Sequence, residues 1–484
     1  MTGIYKKIIA FSMTVITVAL CACSNGQQPV SEEERLYQSL FNLDEKIEIK
    51  IDIDDSELAK MEADYEEYEE NDSKSPIYRK ADKVTFTIGG ESYEIDEVGV
   101  RMKGNLSLTD FYDEKNSDMY NLIHLKLSFD ETFDDEKYYG GDAKQWESTQ
   151  ERDERKKRTF ATLNGIDLKW NKNYDQTYIR EYYANEMFRE NNVVAPKMNL
   201  AATTFGGVYC GVFTLYEQVD NNFIERNFPE EDWGGDLYKV AWTRKPANYT
   251  MNVTYGIEDA DGGLTYNFDL KTNKNTSKHE SLENLLDVIN DDNVTKESFE
   301  SVVDKESFLN FAAVSYFTGN PDDMRNNYNN HYVYFRKSDG KAVFIPYDND
   351  RVLGICVGWN PTGSGMTEVS PFSSMAAGNR SEQVNPLYRL TILNDDCYYP
   401  DEYTQKIKQL SESEWLTEDN FNERYEKAKA NYADCTKPDK NFNNADTQQF
   451  EFSLDGVFDS GDEENMSIKE YFDRIKETVD SELE

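Results

Sequence analysis

Between Lys83 and Asn105 the chain reads "KVTFTIGGESYEIDEVGVRMKGN": two runs of alternating apolar and polar residues separated only by Gly89-Gly90. A period of two buries one face of an extended strand and wets the other, and a glycine pair lets the chain reverse in two residues. This stretch therefore predicts a β-hairpin. The same grammar recurs through the first half. Glu48 to Asp54 ("EIKIDID") alternates, "LIHLKLSFD" places Leu122, His124, Lys126 and Ser128 on one face, and "KMNLAATTFGGVYCGVFTLYEQVD" turns at Gly206-Gly207. Asp55 to Glu69 reads as an acidic surface helix, and helical spacing appears at Asp175 to Asn191, where Ile179, Tyr182, Tyr183, Met187 and Phe188 share a stripe. Glu131 to Arg158 is dense in charge without a period and reads as a surface insertion. The first half is thus expected to be a mainly antiparallel sheet with one inserted helix.

From residue 221 the pattern changes. Glu280 to Asn290 and Lys305 to Thr318 have helical spacing, and the chain from about Pro386 is largely helical, ending on a stripe of Ile468, Tyr471, Phe472, Ile475 and Val479. Between them a small hairpin, "HYVYFRK" and "KAVFIPYD", is joined by Ser338-Asp339-Gly340. The resulting class is α+β: a β-rich lobe over residues 46–220 with one main helix and the charged insertion near 131–158, then a helix-rich lobe over 221–484 carrying the hairpin.

The 484 residues hold 93 Asp plus Glu against 52 Lys plus Arg, a net charge of −41. Such a chain repels nucleic acid, which is excluded as a partner. Aromatic residues make up 13% of the chain, too many for a disordered acidic tail. His124, His279 and His331 are its only histidines, which argues against a multi-histidine zinc site or a serine–histidine hydrolase.

At the N-terminus, Lys6 and Lys7 precede an apolar stretch from Ile8 to Leu20 that is short for a membrane span and suits a secretory signal. Leu20-Cys21-Ala22-Cys23 resembles a bacterial lipobox. The expectation is a signal over residues 1–22, lipid on Cys23, a polar tether over 23–45, and an exported protein anchored at the outer face of the cell membrane. An ordinary cleaved signal is the alternative. Cys210, Cys356, Cys397 and Cys435 are widely spaced without a CxxC pair, so bridges and buried thiols are both open.

Two acidic motifs carry chemistry. "FIPYDNDRVLG" delivers Asp348 and Asp350 at the end of an apolar run, where residues two apart on an extended strand would face one cation. Magnesium suits a few carboxylates completed by phosphate oxygens and water; an acidic turn facing water is the alternative. "GNPDDMRNNYNN" follows an apolar helix that Pro321 stops, and offers Asp322, Asp323 and several asparagines. A carboxylate there can orient a hydroxyl proton, and an asparagine carbonyl can bind metal.

The segments "GVRMKGNLS", "HLKLSFD", "IREYYANEMFRENNVVAP", "GGVYCGVFTLYEQVDNNFIERNF", "VVDKESFLNFAAVSYFTGNPDD", "NNHYVYF" and "FIPYDNDRVLG" occur in the order seen in the spore coat protein CotH family, which this chain resembles. The resemblance implies a two-lobed, atypical protein-kinase-like fold and a kinase using ATP with Mg²⁺ or Mn²⁺ on an acceptor protein that the sequence does not name. It implies that Lys126 pairs the nucleotide phosphates, with Glu181 or Glu186 holding it, against the alternative of a lysine on a solvated sheet face. Gly104, Asn105 and Ser107 would approach phosphate through backbone amides, and the backbone from Glu217 to Val219 would meet the adenine. The Glu217 side chain is equally free to cap the following helix or pair with a basic neighbour. The family spacing favours Asp322 as the catalytic carboxylate, with Asp323 open, and Asn330 joining Asp348 and Asp350 at the metal. A kinase-fold surface binding or assembly protein without turnover is the alternative function. A phosphodiesterase on the same aspartates lacks the histidines such sites employ.

Overall fold

The computed structural model describes residues 31–484 except 71–72, 105–106, 114–118, 244, 259–264, 356–364, 375–383, 394–395, 444–449 and 458–464. Cys23 with its lipobox, Asn105 and Cys356 lie outside the described residues.

The alternating runs close into a barrel rather than an open sheet. Strands β1 (Ile47–Ile53), β2 (Arg79–Ile88), β3 (Glu91–Lys103), β5 (His124–Ser128), β6 (Gly165–Trp170), β7 (Met198–Phe205) and β8 (Val208–Glu217) adopt the order β1-β2-β3-β5-β6-β8-β7. Closure comes from β1 lying parallel to β7, with Glu48 opposite Ala202 and Ile51 opposite Phe205. All other barrel pairings are antiparallel. A closed barrel leaves no sheet edge to pair with another chain. The β2–β3 turn needs positive φ at both central residues, and Gly89 and Gly90 adopt +56° and +91°. Inside the barrel Phe86 stacks on Phe160 at 4.4 Å, and Phe129 meets both rings edge-on.

Helix α1 (Glu32–Leu40) precedes the barrel, and α2 (Asp55–Glu69) follows β1 with the expected bounds. The insertion carries two short helices, α3 (Glu136–Tyr139) and α4 (Thr149–Arg155), and is pinned to the barrel by Arg155 and Arg158, whose guanidinium groups donate to backbone carbonyls of Glu131, Glu97 and Asp96. Helix α5 (Arg180–Glu190) starts later than its periodicity suggests. Asp175 explains the delay: its carboxylate accepts from the backbone N of Thr177 and Arg180, so residues 175–179 form a turn.

The second half contains more strand than a hairpin. β12 (His331–Phe335) and β13 (Ala342–Pro346) pair as expected, but β9 (Leu237–Val240), β10 (Tyr255–Gly256) and β11 (Phe268–Leu270) extend them to a five-stranded sheet, β10-β11-β9-β12-β13. Two short strands, β4 (Met119–Tyr120) and β14 (Asn441–Phe442), form a separate parallel pair. Helix α6 (Asn221–Asn227) precedes β9, and α7 (Glu280–Ile289), α8 (Lys296–Val302) and α9 (Lys305–Thr318) lie between β11 and β12. Asp304 caps α9 by accepting from Ser307 N at 2.9 Å, and Gly319 ends it at φ +61°. Helices Pro386–Thr391, Pro400–Ser411, Glu418–Tyr432 and Ile468–Leu483 complete the chain.

Two apolar cores result. One fills the barrel; the other joins α5, α9, the five-stranded sheet and the last helices, and takes in Met198, Leu200 and Tyr216 from the outer faces of β7 and β8. Cys210, Cys397 and Cys435 are free thiols. Among the described residues no helix is long and apolar enough to cross a membrane.

Candidate active site

A cleft of about 800 Å³ lies between the barrel and the five-stranded sheet. Basic side chains outnumber acidic ones along its walls, in a chain where acids outnumber bases by 93 to 52. A positive concavity on so acidic a protein focuses field on a bound anion.

At its centre stands Lys169. As the fifth residue of β6 it is only 6% exposed, and its ammonium lies 2.6 Å from Asp348 Oδ1, 2.9 Å from Glu181 Oε1 and 3.9 Å from Asp350 Oδ2. Glu181 projects from the first turn of α5 and also accepts from the Tyr216 hydroxyl at 3.0 Å. Both aspartates thus face one cation, but that cation is a side chain of the protein. The route also differs from the expected one: β13 ends at Pro346, and Asp348 has φ +57°, so the two carboxylates are not on an extended strand. Instead Asn349 between them is buried. It donates to Asn185 Oδ1 on α5 at 2.7 Å and accepts from Asn320 at 3.3 Å, while the Asp350 carbonyl accepts from Asn173. The intervening residue anchors the turn and leaves both aspartates lining the cleft.

Electrostatics follow from crowding three carboxylates on one ammonium. Burial lowers the affinity of Lys169 for its proton, but Asp348, Glu181 and Asp350 outweigh this and hold it well above the usual lysine range. Burial pushes Asp348 up; Lys169 and then Lys103 overcome it and hold that carboxyl well below the usual range. Glu181 goes the other way, raised to about 7 by burial despite Lys169, and Asp350 is raised by burial as well.

The Asn-rich loop cradles one carboxylate. Asp322 accepts from the side-chain amides of Asn327 at 2.7 Å, Asn329 at 3.1 Å and Asn330 at 3.0 Å. Burial raises its pKa, against the lowering effect of the Asn327 and Asn329 bonds. Asp322 and Asn330 line the cleft. Asp323 does not: it is 6% exposed and turned into the fold, where it accepts from Asn326 N at 2.7 Å. The two adjacent acids are thereby distinguished by direction.

Other sequence-predicted residues divide similarly. Lys126 lines the cleft from β5 and makes no ion pair among the described residues. Of the two carboxylates expected to hold it, Glu181 is held by Lys169 instead. Glu186 faces away, bonded to Arg424 at 2.7 Å and to the Tyr182 hydroxyl at 2.8 Å. Gly104 and Ser107 line the cleft, and Gly104 has φ +140° with Ser107 Oγ 2.5 Å from where a Cβ would stand. A side chain at that position would collide with the turn. Val219 lines the cleft too. The Glu217 backbone amide, however, donates to Lys197 O, and its side chain is 1% exposed between Arg226 and Tyr37, so the basic-neighbour alternative describes it.

Sequence reading missed Lys169, Lys103 and Asp167. Lys103 of β3 ion-pairs with Asp167 of β6, which also accepts from Gln218 Nε2 at 2.9 Å. Burial pushes the Asp167 carboxyl up, but Lys103 and Lys126 outweigh it and bring it down to about 2. A signal existed in "GIDLKW", where Ile166, Leu168 and Trp170 alternate with Asp167 and Lys169. Tyrosine rings continue the array: Lys169 lies 5.2 Å from the Tyr216 ring, and Lys103 and Lys239 lie 5.3 Å and 4.5 Å from that of Tyr347. His124 is buried and accepts from Trp170 N at 3.1 Å, which accounts for its place beside the site.

The arrangement can hold a polyanion against lysines while hard oxygen donors and a cradled carboxylate face it. No curated protein matches the chain. A family model described as CotH kinase protein matches residues 109–475, a span that runs from before β4 into the last helix and takes in Lys126, Lys169, Glu181, Asp322 and Asp348. The chain belongs to the CotH kinase protein family.

Proposed function

We propose that this protein is a two-lobed, kinase-like phosphotransferase that moves the terminal phosphoryl group of ATP to a hydroxyl of an acceptor protein. The observation that carries the reading is the ion pair between a strand lysine and the following helix's glutamate, Lys169 and Glu181, closed by Asp348 from across the cleft. Phosphoryl transfer in protein kinases uses these parts: a strand lysine for the phosphates, a helix glutamate that positions it, a metal-holding aspartate, and a loop carrying a catalytic aspartate and an asparagine. Lys169, Glu181, Asp348, Asp322 and Asn330 supply one of each.

In this reading Lys169 takes the role the family resemblance suggested for Lys126, because it alone has the helix glutamate. Lys126 and Lys103 add charge from the same barrel wall, the turn at Gly104 and Ser107 brings backbone close to phosphate, and the Val219 segment meets the base. Three carboxylates on one ammonium leave an excess of negative charge and hard oxygen donors, which fits Mg²⁺ or Mn²⁺. Asp348, Asp350 and the Asn330 side-chain carbonyl would hold the ion, and when bound it would neutralise charge on the phosphates. Asp322 orients the acceptor hydroxyl and takes its proton as the hydroxyl oxygen bonds to the γ-phosphorus and the bond to the departing ADP breaks.

A direct test measures radiolabelled phosphate transfer and thermal shift with Mg²⁺-ATP. A kinase gives both; a shift without transfer would make the protein a nucleotide-binding module, and neither would remove the nucleotide reading. Lys126→Ala should raise KM for ATP several-fold and leave the melting temperature within a degree or two, since Lys126 is not part of a core. Lost stability with unaltered nucleotide handling would make it a sheet-face lysine.

The lipobox supports placing the enzyme at the outer face of the cell membrane through Cys23. Cys23→Ala should move the protein from the membrane to the soluble fraction on cell fractionation; unchanged distribution would remove the anchor.

A further inference from the structure

Helix α1 precedes the family-matched residues, and the chemistry above gives it no role. Nine residues make a marginal helix in water, so α1 keeps its form through what it touches. Leu40 and Phe41 are buried in the barrel core. The Asn199 side-chain amide on β7 donates to Leu40 O at 2.9 Å and Asn42 O at 3.0 Å, and Ser31 caps the other end by accepting from Glu34 N at 3.1 Å.

Between these two fixings α1 grips two neighbouring strands. Glu33 and Tyr37 are four residues apart and share a face. Glu33 Oε2 accepts from Thr162 N at 2.8 Å, in the turn that leads into β6. The Tyr37 hydroxyl donates to Glu217 Oε1 at 2.8 Å, on the last residue of β8. Strands β6 and β8 are paired, with Ile166 opposite Glu217. Helix α6, the first after the barrel, meets the same two points from the other side. Its Arg226 donates to Glu217 Oε1 through Nε at 3.0 Å and Nη2 at 2.8 Å, and to Thr162 O through Nη1 at 2.9 Å. The second Glu217 oxygen accepts from Lys197 N at 2.9 Å. Tyr37 is 4% exposed and Glu217 1%, so a partner lost here is not replaced by water.

This junction abuts the cleft. Glu217 does not line it, but Gln218, Val219 and Asp220 do. Gln218 donates to Asp167 Oδ1 at 2.9 Å and to Leu127 O at 3.1 Å, and Asp167 pairs with Lys103. Asp220 caps α6, accepting from Phe223 N at 2.9 Å, where the chain leaves the barrel. Where Glu217 is held therefore sets where the next three residues stand.

We propose that α1 positions the nucleotide side of the cleft: Tyr37, acting through Glu217, holds Gln218 and Val219 against Asp167 and Lys103, and release of α1 weakens nucleotide binding. The inference rests on the phosphotransfer reading above and adds positioning residues outside the cleft.

The test uses the full chain carrying Tyr37→Phe. Phenylalanine keeps the ring on which Lys197 and Arg226 rest, at 4.5 Å and 5.0 Å, and removes only the hydroxyl. Gln38→Ala, on the exposed side of the same helix, is the control. Amide hydrogen exchange without nucleotide reads the junction, and titration with Mg²⁺-ATP reads its consequence. Tyr37→Phe should quicken exchange over residues 217–220 and raise both Kd and KM for ATP by about tenfold, the factor one net hydrogen bond can supply. It should leave kcat within about twofold, because the Lys169–Asp348 centre is untouched, and Gln38→Ala should change none of these. Glu33→Ala, which loosens the other grip, should act in the same direction and serves if Tyr37→Phe does not fold. A lower melting temperature with ATP affinity unchanged would make α1 merely structural and overturn the inference. Exchange over residues 217–220 unchanged in Tyr37→Phe overturns it as well. Wild type that binds no nucleotide would count against the kinase reading, and the exchange data would still decide whether Tyr37 holds the segment.

Discussion

Lys169→Met is expected to destabilise the protein by about 3–5 kcal/mol at neutral pH, the usual penalty for removing one partner of a buried ion pair, and much of that loss should disappear under mildly acidic conditions. The ammonium is the one cation within 4 Å shared by Glu181, Asp348 and Asp350 among the described residues. Without it the three carboxyls are crowded and desolvated, so their folded pKa values rise above the unfolded range of about 4. A group raised on folding contributes stability that is present below its unfolded pKa and lost as pH rises through its folded pKa. Glu181 already stands at about 7 with the lysine in place. The variant's deficit should therefore be largest above pH 7 and shrink toward pH 5. Urea midpoints at pH 5 and 7.5 check this. A deficit of the same size at both values would mean that Lys169 acts through packing, and no deficit would mean that the cluster is not closed in solution.

The second large effect is on rate. Asp322→Asn and Asp348→Asn should each lower phosphate transfer by about 10²–10⁴-fold, the range for removing a positioned acid–base or charge-stabilising group. Their effects on folding should differ from each other and from Asp350→Asn. Asp322→Asn keeps the shape of the cradle but turns one accepted hydrogen bond into a clash of donors, a loss of about 1 kcal/mol. Asp348→Asn removes the closest partner of Lys169 and should lower the melting temperature. Asp350 is farther from the ammonium, and its carboxyl is raised by burial and by Asp348, so Asp350→Asn should hold or raise the melting temperature without metal. Mg²⁺-ATP should then stabilise the wild type and have little effect on either metal-side variant. Transfer undiminished in Asp322→Asn would move the catalytic role elsewhere.

What was legible in the sequence is what local chemistry dictates. Helix α9 matches its expected bounds because periodicity, the Asp304 cap and the terminal Gly319 act within a few residues, and α2 matches its bounds as well, without a side-chain cap. The β2–β3 hairpin is written in Gly89-Gly90, and the Asp348–Asp350 motif announces itself by following an apolar run. Choices that depend on distant partners were not legible. Asp322 and Asp323 are adjacent and chemically identical, and only the amides of Asn327, Asn329 and Asn330 turn one into the cleft while Asn326 takes the other inward. Lys126 and Lys169 are both lysines within strands, and only the position of α5 after β6 gives Glu181 to Lys169. Barrel closure needs β1 parallel to β7, a pairing across some 150 residues of chain that no local pattern encodes. The alternating pattern determined by itself that this protein would be built on hairpins with buried faces; tertiary structure decided which charges meet, because a buried ion pair is set by where the backbone brings its partners and not by their spacing along the chain.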